Sequence, residues 1–296
     1  MSEPISPVRE TVDLPGRGSF SLLRWPGEAA HPLLIFCHAT GFNAETYKVL
    51  LTPLTSRFRV VALDLRGHGM TAAPANPKKL KSWSVYPDDL CALLKLWNEP
   101  AFLSGHSMGG AVAMIAASRL PALVRGMVPV DPVMIPAKAA RAMRFRRLFG
   151  LTGTSPLAIG AARRRAVFGS RDMMFDAYQG RGAFATWPDQ VLRDYIAGGS
   201  KDLPNGEVAL ACAPAWESAT FSSAGNMLGR IIRNIDCPVS ILYAEEGSTI
   251  RPEVVALITS LRPEWSLEEV PGTTHFLPME EPEIVRQAIL DMAGLA

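Results

Sequence analysis

The sequence is short of three things. Its 296 residues hold only four cysteines, and these stand far apart at 37, 91, 212 and 237. With no C-x-x-C pair among them, neither a zinc site nor a disulfide framework is indicated, and the thiols read as free and buried. An excess of charge of one sign is also missing. Thirty basic against 28 acidic side chains leave a formal charge of +2, too near neutral to argue for a nucleic-acid partner. Finally, no apolar run approaches the ~18 residues of a membrane-spanning helix, and the opening MSEPISPVRE has no basic patch leading into an apolar stretch. The chain is therefore expected to be soluble and cytoplasmic, without a membrane span.

What is present is ordinary globular material, 48% hydrophobic and 20% charged, long enough for one large or two modest domains with a full core. In the first half, short apolar runs alternate with helical patterns, as they do when helices cover a parallel sheet. Leu33 to Cys37, Val60 to Leu63 and Ala101 to Leu103 are unbroken apolar runs that suit strands buried on both faces. Between the last two, Leu90, Leu93, Leu94 and Trp97 recur at helical spacing, with Pro87, Asp88 and Asp89 in the first turn.

Strands resume at Val239 to Tyr243 and Trp265 to Val270. A last helix then places Ile284, Val285, Ala288, Ile289 and Met292 on one face. The expected class is α/β, a mostly parallel central sheet with helices on both faces. Between about Pro136 and Leu228 the strand pattern fades into short helices broken by Gly and Pro. That stretch far exceeds the usual ~4–6-residue connection and is expected to form a helical cap, 136–228, inserted into a core of 1–135 and 229–296.

Gly105-His106-Ser107-Met108-Gly109 follows the third apolar run and precedes a helix expected from Ala111 to Arg119. This is G-x-S-x-G at a strand-to-helix junction, where a sharp turn projects the serine hydroxyl and glycines let strand and helix approach. The N-terminal end of the helix also aims backbone N–H groups at any oxyanion formed there. Met108 N–H would be one donor. The turn after the first run, His38 to Asn43, would supply the other through Thr40 N–H, although a plain strand-ending turn reads the same way.

A serine needs an imidazole to take its proton. Of the five histidines, His31 precedes a strand, His38 reads as structural, His68 lies in a turn and His106 adjoins the serine but points elsewhere. His275, between the last strand and the last helix, has the position for a general base.

These segments resemble the α/β-hydrolase superfamily, of the capped esterase and carbon–carbon hydrolase type. The resemblance runs through HATGFN (38–43), DLRGHG (64–69), GHSMGG (105–110), VDP (130–132) and PGTTHFLPMEEP (271–282), and so covers nearly all of the chain outside the cap. It implies Ser107 as nucleophile, His275 as base, Met108 and Thr40 as oxyanion donors, and DLRGHG as a structural loop. It also implies an acid on the loop after Val239 to Tyr243, where the expected position falls near Gly247 and no aspartate stands. Some members carry that acid at the end of the strand following the nucleophile helix, which here is Asp131. Asp131 is the favoured acid, with Glu246 and Glu245 as alternatives and a turn aspartate before Pro132 as its plainer reading.

The function so implied is hydrolysis of a carboxylic ester or related carbonyl compound through an acyl-enzyme. Carbon–carbon hydrolase, lactonase and thioesterase activities share the same residues. Epoxide and haloalkane hydrolysis are disfavoured, because relatives with those activities carry an aspartate where this chain has Ser107. A non-turnover receptor on the same fold is a further alternative, prompted by the displaced acid. No cofactor or metal is expected.

Residues 136 to 181 hold ten basic side chains (Lys138, Arg141, Arg144, Arg146, Arg147, Arg163, Arg164, Arg165, Arg171, Arg181) against Asp172 and Asp176, a local charge of 10 − 2 = +8. A solvated face or attraction of an anionic substrate both account for it. Interleaved are Met143, Phe145, Phe149, Phe168, Met173, Met174, Phe175 and Tyr178. These read mostly as cap core, with some turned towards a small-molecule substrate bearing an apolar acyl or alkyl group.

Overall fold

A computed structural model describes residues 5–135, 141, 145, 155–224 and 228–296. Of the residues just named, Lys138, Met143, Arg144, Arg146, Arg147 and Phe149 lie outside the described residues. In chain order the strands are β1 (Val8–Leu14), β2 (Gly18–Arg24), β3 (Leu33–Cys37), β4 (Arg59–Leu63), β5 (Ala101–His106), β6 (Val124–Val130), β7 (Val167–Phe168), β8 (Ser200–Asp202), β9 (Val208–Leu210), β10 (Ser240–Glu246) and β11 (Ser266–Thr274). The main sheet has the order β1-β2-β4-β3-β5-β6-β10-β11. β3, β4, β5, β6, β10 and β11 run parallel, and the β1–β2 hairpin joins antiparallel at the β4 edge.

The unbroken apolar runs are explained by two cores, one on each face of this sheet. Leu33, Ile35 and Cys37 of β3 point into one core, with Val61 and Leu63 of β4. Leu34 and Phe36 point into the other, with Val60 and Ala62. Because successive strand residues face opposite ways, a strand covered on both sides buries every side chain and favours apolar residues throughout. Helices α1 (Val85–Trp97) and α2 (Met108–Arg119) cover the first face, and a C-terminal helix over Pro282–Ala293 covers the second. Each fully buried Leu, Ile, Val or Phe contributes about 1.5–3 kcal/mol of transfer free energy, and strands and covering helices both supply such residues to the two cores.

Two features depart from the sequence reading. The β1–β2 hairpin was not evident, because β1 is a half-exposed edge strand with no apolar run. The segment between β6 and β10 is not helical alone: β7, β9 and β8 form a small antiparallel sheet. Two or three residues per strand are too few to show a period. The helices there are conventionally started. Ser155 and Ser170 accept hydrogen bonds from Ala158 and Met173 N–H, capping the helices over Pro156–Ala162 and Arg171–Tyr178.

This segment is tied to the main sheet by polar contacts. Asn43 Nδ2 donates to the Tyr195 carbonyl at 2.9 Å, Trp83 Nε1 to the Thr220 carbonyl at 2.7 Å, and Trp216 Nε1 to the Arg66 carbonyl at 3.0 Å. The DLRGHG loop is scaffold of the same kind. The buried Asp64 carboxylate accepts from the N–H groups of Ala44 and Met70 at 2.8 and 2.9 Å, and Arg66 grips Asp89 through two nitrogens at 2.9 and 2.8 Å. All four cysteines are buried and free; burial pushes the Cys37 thiol up to about 12, which leaves it inert at neutral pH.

Candidate active site

The chain places β4 on one side of β3 and β5 on the other. At such a switch in direction the loops at the C-terminal ends of the strands diverge and leave a crevice. The loops after β3, β5, β6, β10 and β11 all open on this edge, and they carry Thr40, Ser107, Asp131, Thr249 and His275 respectively.

Ser107 sits between β5 and α2 with φ 55° and ψ −115°, a region in which a non-glycine residue is strained by about 1–3 kcal/mol. The helix begins at Met108 rather than at Ala111, directly behind the serine. The turn is possible only because glycines flank it. A Cβ on Gly105 would lie 2.6 Å from the Gly109 carbonyl carbon, and one on Gly109 would run into the Cys37 carbonyl. The strain is held by three backbone bonds: Ser107 N–H to the Val130 carbonyl at 2.9 Å, and Ala111 and Val133 N–H to the Ser107 carbonyl at 3.1 Å each.

His275 Nε2 lies 3.0 Å from Ser107 Oγ, and its Nδ1 lies 2.8 Å from Asp131 Oδ2. Asp131 is fully buried and has φ 39°. Its other oxygen accepts from the Ser248 hydroxyl at 2.7 Å and from Thr249 N–H at 3.1 Å. A carboxylate held on both oxygens by donors is fixed in place, and it dictates that His275 presents Nδ1–H to it and a bare Nε2 to the serine.

The two glutamates take other positions. Glu245 accepts the Gly272 N–H at 2.7 Å, and Glu246 is exposed at the end of β10. Thus the structure brings Asp131, and neither Glu245 nor Glu246, to His275.

Thr40 and Met108 are adjacent across the site: the Thr40 hydroxyl meets Met108 Sδ at 3.3 Å. Neither backbone N–H has a hydrogen-bond partner among the described residues. Thr40 and Ser107 both line the cavity over the site.

Sequence reasoning passed over one network. Ala39 N–H donates to Tyr47 Oη at 3.1 Å, Tyr47 O–H donates to His106 Nδ1 at 2.8 Å, and His106 Nε2–H donates to the His275 carbonyl at 2.7 Å. It links the turn bearing Thr40 to the backbone of His275. Burial, followed by the nearby His275, holds His106 well below the usual imidazole range, which keeps it neutral and able both to accept and to donate. His38 is neutral for the same reason, pushed down to about 4 by burial; its Nε2 accepts from Leu65 N–H at 2.9 Å.

A cavity of about 720 Å3 opens over Ser107 and His275. Its walls are mainly apolar, from Phe42, Phe276, Leu157, Phe184 and Phe221. None of the described aromatic and methionine residues singled out between 136 and 181 lines it: Phe168, Met174 and Phe175 are buried elsewhere, whereas Phe145 and Met173 face solvent. Of the described arginines in that stretch only Arg164 reaches the cavity, while Arg163, Arg165 and Arg181 are exposed. No group of metal-ligating side chains occurs among the described residues, and no helix among them is long and apolar enough to cross a membrane.

Fold and sequence agree on the class. Residues 34–288 match the model of the alpha/beta hydrolase family, and the chain belongs to that family. Within it, the chain is similar to the 2-(acetamidomethylene)succinate hydrolase of Mesorhizobium japonicum, 28% identical over 87% of this chain and 86% of that protein. The crystal structure of E-2-(acetamidomethylene)succinate hydrolase superposes with a TM-score of 0.76 at 25% identity, covering 97% of this chain and 99% of that one. A thioesterase domain from the curacin biosynthetic pathway superposes with a TM-score of 0.75 at 18% identity over 96% of this chain and 99% of that one, a likeness of fold alone.

Proposed function

We propose that this hydrolase cleaves a carboxylic ester or closely related carbonyl substrate through an acyl-enzyme, with Ser107 as nucleophile, His275 as general base and Asp131 as the acid that orients it. The observation that carries the reading is the continuous line from Asp131 Oδ2 through both ring nitrogens of His275 to Ser107 Oγ, at 2.8 and 3.0 Å. His275 Nε2 takes the hydroxyl proton as Oγ attacks the carbonyl carbon. The oxygen that becomes negative is met by Met108 and Thr40 N–H, and Asp131 stabilises the imidazolium. Collapse expels the alcohol oxygen, which takes the proton from His275. Water then repeats the sequence on the acyl-enzyme and frees the acid.

Residues 136–228 act in this reading as a cap over the site, and the apolar cavity walls favour an acyl or alkyl group. The Asp131 carboxylate on His275 Nδ1 supports turnover over a receptor without it. The test is a series of p-nitrophenyl esters of increasing chain length together with a fluorophosphonate probe. The reading expects turnover and a single adduct on Ser107. A protein that labels elsewhere, or hydrolyses no ester, lactone or thioester, overturns it.

A further inference from the structure

The cavity wall carries an ion pair away from the serine and histidine, between Arg164 and Glu217. Arg164 Nη1 donates to Glu217 Oε2 at 2.7 Å, and Nη2 donates to the hydroxyls of Tyr195 and Tyr178 at 2.7 and 3.2 Å. Arg164 and Glu217 both line the cavity and are mostly removed from solvent, with side-chain exposures of 21% and 8%. Burial by itself would lower Arg164, but the surrounding Tyr195, Glu217 and Tyr178 outweigh it and hold the guanidinium charged. The pair also lies against the turn bearing Thr40. A Cβ on Gly41 would stand 2.5 Å from Glu217 Oε1, so the carboxylate rests on the bare α-carbon of that glycine.

A buried guanidinium lining an apolar pocket is ordinarily where a substrate carboxylate would bind, since its planar N–H groups match two carboxylate oxygens. Here that partner is built in. A substrate carboxylate would have to displace Glu217, leaving a buried carboxylate unpaired, or sit beside it and place two like charges in one desolvated corner. Both are unfavourable, and negative charge introduced there would also lie near the oxyanion turn.

Resting on the hydrolase reading above, we infer that Glu217 is a specificity-determining residue: by occupying Arg164 it makes the cavity select uncharged acyl groups and reject those ending in a carboxylate. Of the described basic residues of 136 to 181, only Arg164 lines the cavity, and its charge is met there by Glu217.

The test compares two esters of equal acyl length, p-nitrophenyl pentanoate and the mono-p-nitrophenyl ester of glutarate, on wild type and on Glu217→Gln. Wild type is expected to prefer the pentanoate. Glutamine keeps a carbonyl oxygen for Arg164 but loses the charge, so the preference should shift towards the glutarate ester by about tenfold or more in relative kcat/KM. Arg164→Gln combined with Glu217→Gln should restore the neutral preference, since no cation is left. Glutarate titrated calorimetrically into wild type at up to about 10 mM, weaker than any functional carboxylate site, should show no binding. That measurement stands even if Glu217→Gln does not fold or if wild type hydrolyses neither ester, an outcome that would count against the hydrolase reading and leave the carboxylate exclusion to the calorimetry. Glutarate binding to wild type, or an unchanged ester preference in folded Glu217→Gln, overturns the inference.

Discussion

The Ser248 hydroxyl donates to the Asp131 carboxylate at 2.7 Å, across the gap between the end of β10 and the end of β6. The resemblance places an acid near Gly247 on that same loop. In this chain the loop supplies donors instead: Ser248 Oγ and Thr249 N–H on one oxygen of Asp131, with His275 on the other. Position and role have been exchanged between two neighbouring strand ends, and the imidazole is met from the next strand over.

Asp131→Asn should therefore be the most damaging of the acid substitutions. An amide can satisfy Ser248 or His275 but cannot stabilise the imidazolium, and by analogy with the serine-protease triad the loss in kcat is about 10⁴. Ser248→Ala removes one of several donors to Asp131 and should cost far less. Glu245→Gln and Glu246→Gln should be near wild type. Steady-state kinetics at neutral pH ranks the four, and a ranking led by either glutamate would move the acid to the 245–246 loop.

Ser107 separates chemistry from strain. Ser107→Ala should abolish ester turnover and fluorophosphonate labelling with little change in Tm, because alanine inherits the same φ of 55°. Ser107→Gly should be equally inactive yet more stable, by up to about 1 kcal/mol net of its unfolded-state entropy, since glycine adopts positive φ without penalty. Thermal unfolding of the two inactive variants side by side reads the strain directly; equal Tm values would mean the turn is relaxed.

Much of this site was legible because its residues carry local signatures. Gly105 to Gly109 announce a turn that no other residues could make, and the apolar runs of β3 to β5 announce strands with two covered faces. Asp131 was legible only through resemblance, as a residue at a strand end. Its partners Ser248 and Thr249 are 117 and 118 residues away in sequence, and nothing local marks a serine as a carboxylate donor. The Arg164–Glu217 pair, 53 residues apart, was hidden in the same way: Arg164 stands between Arg163 and Arg165, and only packing distinguishes the inward-facing member of the three. β1 and β7 to β9 leave no pattern in the sequence, because an edge strand and strands of two or three residues bury too little.

The Tyr47–His106 network makes a further variant informative. Tyr47→Phe keeps the ring that packs against Phe36 at 4.5 Å but removes the hydroxyl from between Ala39 N–H and His106 Nδ1. Two buried polar groups lose their partner, at about 1–3 kcal/mol each. A fall in Tm is expected together with a fall in kcat, because the freed ends are the turn bearing Thr40 and the carbonyl of His275. Unfolding and ester kinetics on the one variant test both; a large loss of Tm with kcat unchanged would make the network structural only.

The buried histidines give stability a pH dependence below neutrality. Burial pushes His38 down to about 4 and His68 to about 3, and His106 is also held well below its ordinary value by burial and by His275. In the unfolded chain each returns to about 6.5. Their folded values are the lower ones, so as pH falls the unfolded state takes up protons first and the native state is disfavoured. The stability is complete above about pH 6.5 and is lost progressively as pH falls towards the folded values, with His38 and His68 each contributing about 2 kcal/mol by pH 5. His38 has a direct structural reason to resist protonation, since its Nε2 must remain bare to accept Leu65 N–H. Urea unfolding at pH 7, 6 and 5 should show a steep decline, and His38→Gln, which keeps an acceptor but cannot titrate, should flatten it by about 2 kcal/mol over that interval. A variant whose decline is as steep as wild type would show that His38 is not titrating between the two states, and would place the pH dependence on His68 and His106.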